Sequence, residues 1–268
     1  MSRGLKWFAA LSANAAAQRE SVQVADVLWD GQHVRVIAVV PNPANRFPRA
    51  RSGQIGIEEG WGIAACVHEA IAEDENGKKR ALVLIVDVPG QAFGYHEEAL
   101  GLHQSLAAAV DAYASARRSG HPVVALLVGK AISGAFLAHG LQAACILALD
   151  DAGVEVHVMS QVSVARVTRR SEAEVAALAK VVPSTARDVH SFAGLGAIHR
   201  LLEVADADAP SAEDVVAVRA ALLETVRKLR EHPCESLQQR LETAAAKKSR
   251  APSIRVRQLL KAQWDAST

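Results

Sequence analysis

A chain of 268 residues can bury a full core, in one large domain or two small ones. Half of it is hydrophobic, and 30 basic residues nearly cancel 29 acidic ones, so no net field favours nucleic acid or an anionic membrane. Met1-Ser-Arg-Gly-Leu-Lys6 lacks the long apolar core of a signal peptide after it, and no apolar run approaches the roughly 20 residues of a membrane helix, so the expectation is a soluble, cytoplasmic protein.

The first twenty residues are alanine-rich and predict a helix or arm. Val22 to Val27 and Val34 to Val40 read as strands, with Asp30-Gly31 between them as a hairpin turn. Residues 41–53, with three prolines and two asparagines, predict a loop; its Arg46, Arg49 and Arg51 suit either an anion or plain solvent. A helix is predicted from Ile55 to about Ala72, then a charged connector through Arg80. Leu82 to Asp87 and Val123 to Val128 are short apolar runs of the kind buried on both faces of a sheet. Between them, Glu97 to Ser119 predicts one helix with Leu102, Leu106, Ala109, Val110 and Tyr113 on one face.

After a short helix near Ser133, Ala144 to Leu149 and Val154 to Met159 predict two more strands. Ser171 to Lys180 predicts a helix, broken at Val181-Val-Pro-Ser-Thr185. Ser211 caps a long amphipathic helix to about Arg230. Residues 244–253 change composition like a hinge before a last basic helix, which divides the chain into a main unit, 1–245, and a tail, 246–268. Cys66, Cys145 and Cys234 are far apart and form no C-x-x-C pair; Cys66 and Cys145 lie in apolar surroundings and read as structural thiols. The alternation of strands and helices after one hairpin predicts an α/β fold.

The familiar catalytic spellings are missing: there is no G-x-S-x-G elbow, Walker loop, G-x-G-x-x-G or H-E-x-x-H. His96, Glu97 and His103 do not have a metal spacing and read as a helix surface. What remains is backbone chemistry. Both apolar strands run into small-residue turns, containing Gly90 and Gly94 in one and Gly129 and Gly134 in the other, at the strand ends where open α/β sheets bind ligands. A helix starting at Ser133-Gly134 would point free N–H groups at whatever lies before it, and two such donors make an oxyanion hole. Tight strand-to-helix packing explains the same glycines equally well.

The stretch Asp87-Val-Pro-Gly-Gln-Ala-Phe-Gly-Tyr-His-Glu-Glu98 resembles the D-T-P-G-x-x-x-G-x-x-x-E motif of carboxyltransferase subunits of acyl-CoA carboxylases. Gly129-Lys-Ala-Ile-Ser-Gly-Ala-Phe-Leu-Ala-His-Gly140 resembles their second glycine-rich motif, at the family's separation. Val88 and Lys130-Ala-Ile-Ser133 depart from that pattern. With the hairpin, the Arg-Phe-Pro-Arg loop and the region around Val158-Met-Ser-Gln161, the chain resembles the gamma subunits of biotin-independent malonate decarboxylases.

The resemblance implies a crotonase (ClpP/crotonase) fold of repeated ββα units with flanking helices. It implies decarboxylation of malonyl carried on the prosthetic arm of an acyl carrier protein, together with a crotonase-like beta subunit and the other malonate decarboxylase subunits. No metal, biotin or other cofactor would be bound by this chain. Carried over by motif, the amides of Gly134 and Ala135 are the first choice for oxyanion donors, and those of Phe93 and Gly94 form a second set. Ser133, Lys130, His96 and His139 are candidate proton donors, alongside solvent. Three alternatives share these features. They are a biotin-dependent carboxyltransferase half, a ClpP-type protease, and a non-catalytic subunit that completes a partner's site. The protease reading requires a serine where Ile132 stands; Ser133 falls one residue later and, about 100° round a helix, is expected to face elsewhere.

Overall fold

The computed structural model describes residues 1–13, 17–233 and 236–267, so Cys234 lies outside the described residues. Helix α1 (Arg3–Leu11) opens on Ser2, whose hydroxyl accepts the N–H of Leu5. It is followed by strand β1 (Ala17–Arg19), so the alanine-rich arm is a helix only to Leu11. The hairpin of β2 (Val22–Trp29) and β3 (Gln32–Val39) forms as expected. Asp30 and Gly31 both take positive φ, 46° and 75°, which lets a two-residue turn follow the strand twist.

Helix α2 (Ile57–Glu73) leads to β4 (Ala81–Val88), whose first six residues are all buried, so helices cover both faces of the sheet there. The helix expected over 97–119 is two: α3 (Tyr95–Ala99) and α4 (Leu102–Arg118). Gly101, at φ 87°, takes a left-handed conformation that costs other residues more and breaks the helix. The buried stripe of α4 runs through Leu102, Ser105, Ala109, Ala112, Tyr113 and Ala116; Leu106 and Val110 are only half-buried.

Strand β5 (Val123–Ile132) runs four residues beyond its apolar core into α5 (Ser133–Ala138). Strand β6 (Cys145–Leu149) is as expected, but the strand predicted over 154–159 shrinks to β7 (Val156–His157). Three short helices follow, α6 (Gln161–Thr168), α7 (Glu172–Ala179) and α8 (Val189–Gly194), of which the sequence showed only α7. Then come β8 (Arg200–Leu202) and the long α9 (Ala212–Glu231), capped by Ser211. The stretch that reads as a hinge forms α10 (Ala244–Ser249), with Ala246 buried, and the start of α11 (Ala251–Ser267).

Among the described residues, eight strands form one sheet, seven of them in the order β1-β2-β3-β4-β5-β6-β8 and the eighth, β7, paired to β5 off that path. It is antiparallel through the hairpin and parallel from β3 onward. The unit β2-β3-α2 is a ββα repeat. In the later units the second strand is only a continuation. Pairing of β4 with β5 shifts register between Val86 and Val88 and resumes at Val88 with Ala131, and Ala131 and Ile132 then pair with β7. That shift carries the ends of β4 and β5 out of the main sheet side by side. Helices α2 and α4 pack closely enough that a Cβ on Gly60 would strike the Ser105 backbone. Helix α1 is tied to the segment before α9, where Trp7 donates its indole N–H to the Ala207 carbonyl at 2.9 Å.

Candidate functional site

The two strand ends are pinned together by Asp87. Its carboxylate accepts the N–H of Gly4, at 2.9 Å, and that of Lys130, at 3.1 Å. A Cβ on Gly129 would collide with the same carboxylate, which explains the glycine there. After Val88 the chain turns through Gly90, at φ 138°, and is held against Ile55. The Ile55 N–H donates to Gly90 O at 3.0 Å, and the Ala92 N–H donates to Ile55 O at 2.8 Å. The Phe93 N–H donates back to Gln91 O at 3.0 Å, so this amide is already used within its own turn. Gly94 opens α3 in an extended conformation, and a Cβ there would run into the buried Glu97 carboxylate.

The turn after β5 differs. Ser133 is left-handed, at φ 57°, a conformation uncommon for a residue with a side chain. Gly134 and Ala135 follow as the second and third residues of α5, where α-helical geometry supplies no internal acceptor for the amides. The Gly134 N–H donates instead to the Gln91 side-chain oxygen, at 3.0 Å. The hydrogen bond joins the two turns.

Beside them lies an open cleft of about 650 Å³. Its walls are residues 89–93, Ile132 and Ser133, Arg49 and Gln54 from the loop before α2, and residues 158–160 with Ser163, Arg166 and Val167 around α6. Gly134 and Ala135 follow Ser133 directly in the chain, and Gln91, which lines the cleft, accepts the Gly134 N–H. Two guanidinium groups, those of Arg49 and Arg166, make the cleft attractive to an anion. The Gln54 side-chain oxygen is buried without a hydrogen-bond partner among the described residues. The loop that carries Arg49 and Gln54 is fixed from behind by Glu59. Its carboxylate, fully buried, accepts from Ser21, from Asn45 at 2.7 Å and from the Gly56 N–H at 2.9 Å. Burial raises the Glu59 pKa above the usual carboxyl value, against the pull of those donors.

A family model described as malonate decarboxylase gamma subunit matches residues 50–264, which includes both turns and the α6 wall. The chain belongs to the malonate decarboxylase gamma subunit family. It resembles a chain of the Pseudomonas malonate decarboxylase hetero-tetramer in complex with coenzyme A, with 51% identity, a TM-score of 0.91, and coverage of 98% of this chain and 100% of that one. A chain of the Pseudomonas MdcD-MdcE hetero-dimer is 50% identical, with a TM-score of 0.87 and the same coverage. The malonyl-S-ACP:biotin-protein carboxyltransferase MADD of Malonomonas rubra is 38% identical over 190 residues. That match takes in 69% of this chain and spans 62% of the Malonomonas protein. Transcarboxylase 12S, at 18% identity and a TM-score of 0.64 over 85% of this chain and 42% of its own, shares the fold. The fold is that of the crotonase superfamily.

Within this gamma-subunit framework the other candidates fall apart from one another. Ser133, expected to face elsewhere, lines the cleft together with Ile132, and its positive φ falls at the first residue of α5. No histidine is among the described residues that line the cleft, so none of these supplies Ser133 with an imidazole base. The Lys130 side chain is exposed, and its backbone N–H goes to Asp87. His96 is exposed, edge-on to Tyr95 with ring centroids 5.7 Å apart, and His103 is exposed on α4.

His139 is fully buried in the core. Its Nε2 must donate to the Ile85 carbonyl, at 3.1 Å, which leaves Nδ1 to accept from the Tyr113 hydroxyl, at 2.9 Å. Burial lowers its pKa to about 4, so the ring is neutral at neutral pH and its one N–H is committed to Ile85. Of the three loop arginines only Arg49 reaches the cleft; Arg46 pairs with Glu58 at 2.6 Å, and Arg51 donates to the Asn45 carbonyl at 2.8 Å. Arg166 and Gln54 escaped the sequence reading, since neither sits in a motif.

Proposed function

We propose that this chain is the gamma half of a malonate decarboxylase. It acts with a crotonase-like beta subunit on a malonyl group carried as a thioester on the prosthetic arm of an acyl carrier protein, alongside the other malonate decarboxylase subunits. The C–C bond to the carboxylate breaks, CO2 leaves, and the electron pair passes through the α-carbon to the thioester oxygen. The resulting enolate takes a proton at carbon, from solvent in this reading, to give acetyl thioester. What the step demands is a donor pair for the enolate oxygen, and the Gly134 and Ala135 amides are our choice. The observation that supports it is the left-handed Ser133 turn. This turn leaves two helix-start amides without internal acceptors beside a cleft that carries two arginines. Arg49 and Arg166 suit the malonyl carboxylate or the phosphate of the arm.

The test is Gly134→Val in the reconstituted complex. A Cβ at Gly134 meets the Gln91 carboxamide at 3.3 Å, so a larger side chain enters the space before the amide. Loss of one oxyanion donor typically costs about 10²–10³ in kcat. That loss is expected with the complex still intact by size exclusion. Full turnover in an intact complex would assign the enolate to the partner's amides and leave this chain a completing role. A second reading follows from the Malonomonas relative, whose name includes a biotin-protein acceptor. Purification of the native complex with a biotinylated protein would favour carboxyl transfer over release of CO2.

A further inference from the structure

The amide that the proposed reaction needs is already occupied. The Gln91 side-chain oxygen takes the Gly134 N–H at 3.0 Å, and the carboxamide lies so close that a Cβ on Gly134 would touch its oxygen at 3.3 Å and its carbon at 3.4 Å. Gln91 lines the cleft, so the acceptor of the Gly134 N–H belongs to a residue that a ligand in the cleft would meet. The backbone at Gln91 is held on both sides, by its bridge to Ile55 and by the Phe93 N–H on its carbonyl. The side chain is half-exposed and is the part able to move. One N–H offers one strong bond along its axis. A thioester oxygen that used it would have to sit where the Gln91 oxygen sits.

We propose that the Gln91 carboxamide is a placeholder for the substrate oxygen, capping the Gly134 N–H in the empty site and swinging out as the malonyl thioester is taken up. This inference rests on the function proposed above. A carboxamide oxygen and a thioester oxygen are both neutral acceptors on trigonal carbon, so the two compete on similar terms before reaction. An enolate wins, because hydrogen bonds to a charged acceptor are roughly twice as strong. Gln91 thereby keeps the turn satisfied without substrate and yields most readily as charge develops. It is a positioning residue that acts through the Gly134 amide and does not itself meet the reacting carbon.

The experiment is steady-state decarboxylation of malonyl-S-acyl carrier protein by the whole complex with Gln91→Ala, Gln91→Leu and Gln91→Glu. The first two remove the competing oxygen, and Leu keeps most of the packing. Both are expected to raise kcat/KM about three- to ten-fold, almost entirely through a lower KM, the worth of one neutral hydrogen bond. Gln91→Glu places a charged acceptor on the same N–H. Its kcat/KM is expected to fall about ten-fold or more in mildly alkaline buffer and to recover as the pH drops through the carboxyl titration. A merely structural role would give no such pH profile. A fall in kcat/KM for both Ala and Leu, or a Glu variant with the wild-type pH profile, would overturn the placeholder. Gly134→Val separates the two ideas. If it is inactive while the Gln91 variants fail to show the rise, only the placeholder falls. If Gly134→Val turns over normally, the oxyanion reading itself is wrong.

Discussion

The two strand-to-helix turns look like echoes in the sequence, yet they spend their amides in opposite ways. The turn after β4 spends its amides on backbone carbonyls: the Ala92 N–H goes to Ile55 O and the Phe93 N–H to Gln91 O. The turn after β5 leaves its amides to others, with Gly134 bonded to a side chain and Ala135 outside any internal helical bond. The first turn is held by backbone bonds, whereas the second is the turn we propose for the enolate oxygen. A glycine-rich spelling alone does not distinguish them, because the difference lies in where each N–H finds its acceptor.

The comparison breaks first at Asp87, the pin between the turns. Asp87→Ala leaves the Gly4 and Lys130 N–H groups without their acceptor, and a stranded donor costs about 1–3 kcal/mol when water cannot replace the partner. The denaturation midpoint should fall by that order, with the slope unchanged. An unaltered midpoint would mean that β4 and β5 hold their ends without it.

His139 gives a second, pH-dependent test of the same layer. The unfolded imidazole takes its proton near 6.5 and the buried one only at about 4. Between those values the unfolded chain binds more protons, so stability is present above 6.5 and drains away as pH falls through the window, by at most about 1.4 kcal/mol per pH unit from this group. His121, His157 and His199 are shifted down too, so the slope is shared. Gln at 139 keeps a donor for Ile85 and an acceptor for Tyr113 but does not titrate. His139→Gln should therefore flatten the acid loss measured by denaturant titration at a series of pH values; an equal loss would place it in the other histidines and carboxylates.

Smaller effects sharpen the role of the second turn. Ser133→Gly removes the hydroxyl while accommodating the positive φ. Relief of left-handed strain is worth about 1 kcal/mol, partly offset by the freer unfolded glycine. A slightly raised midpoint with full turnover is expected; lost turnover would promote Ser133 from backbone support to proton donor. Lys130→Ala should change stability by less than about 0.5 kcal/mol, since the side chain is exposed and the bond to Asp87 comes from the backbone N–H.

Much of the scaffold was legible from local chemistry. The hairpin followed from Asp30-Gly31, β4 and the core of β5 from apolar runs, and α9 from its serine cap and periodicity. These signals are local because turn conformation and burial pattern act over a few residues. Where they fail, the cause is also visible. Gly101 splits a helix whose flanks both favour helix, and β7 and β8 are too short to show a period. Residues 160–195 pack into short helices with much exposed surface, so no apolar stripe marks them.

For the site, the sequence determined that two small-residue turns would close β4 and β5, and it placed Gly134 and Ala135 at the start of a helix. It also carried the family resemblance, through the Asp87–Glu98 and Gly129–Gly140 motifs. Only the tertiary structure decided which amides were spent. Phe93 lost its N–H to a carbonyl two residues back, Gly134 gave its own to a side chain 43 positions away, and His139 went into the core instead of the cleft. Arg166 joined Arg49 only because α6 folds back across the β4 turn. Hydrogen-bond partners and burial depend on distances between segments remote in the chain, and no local pattern encodes those distances.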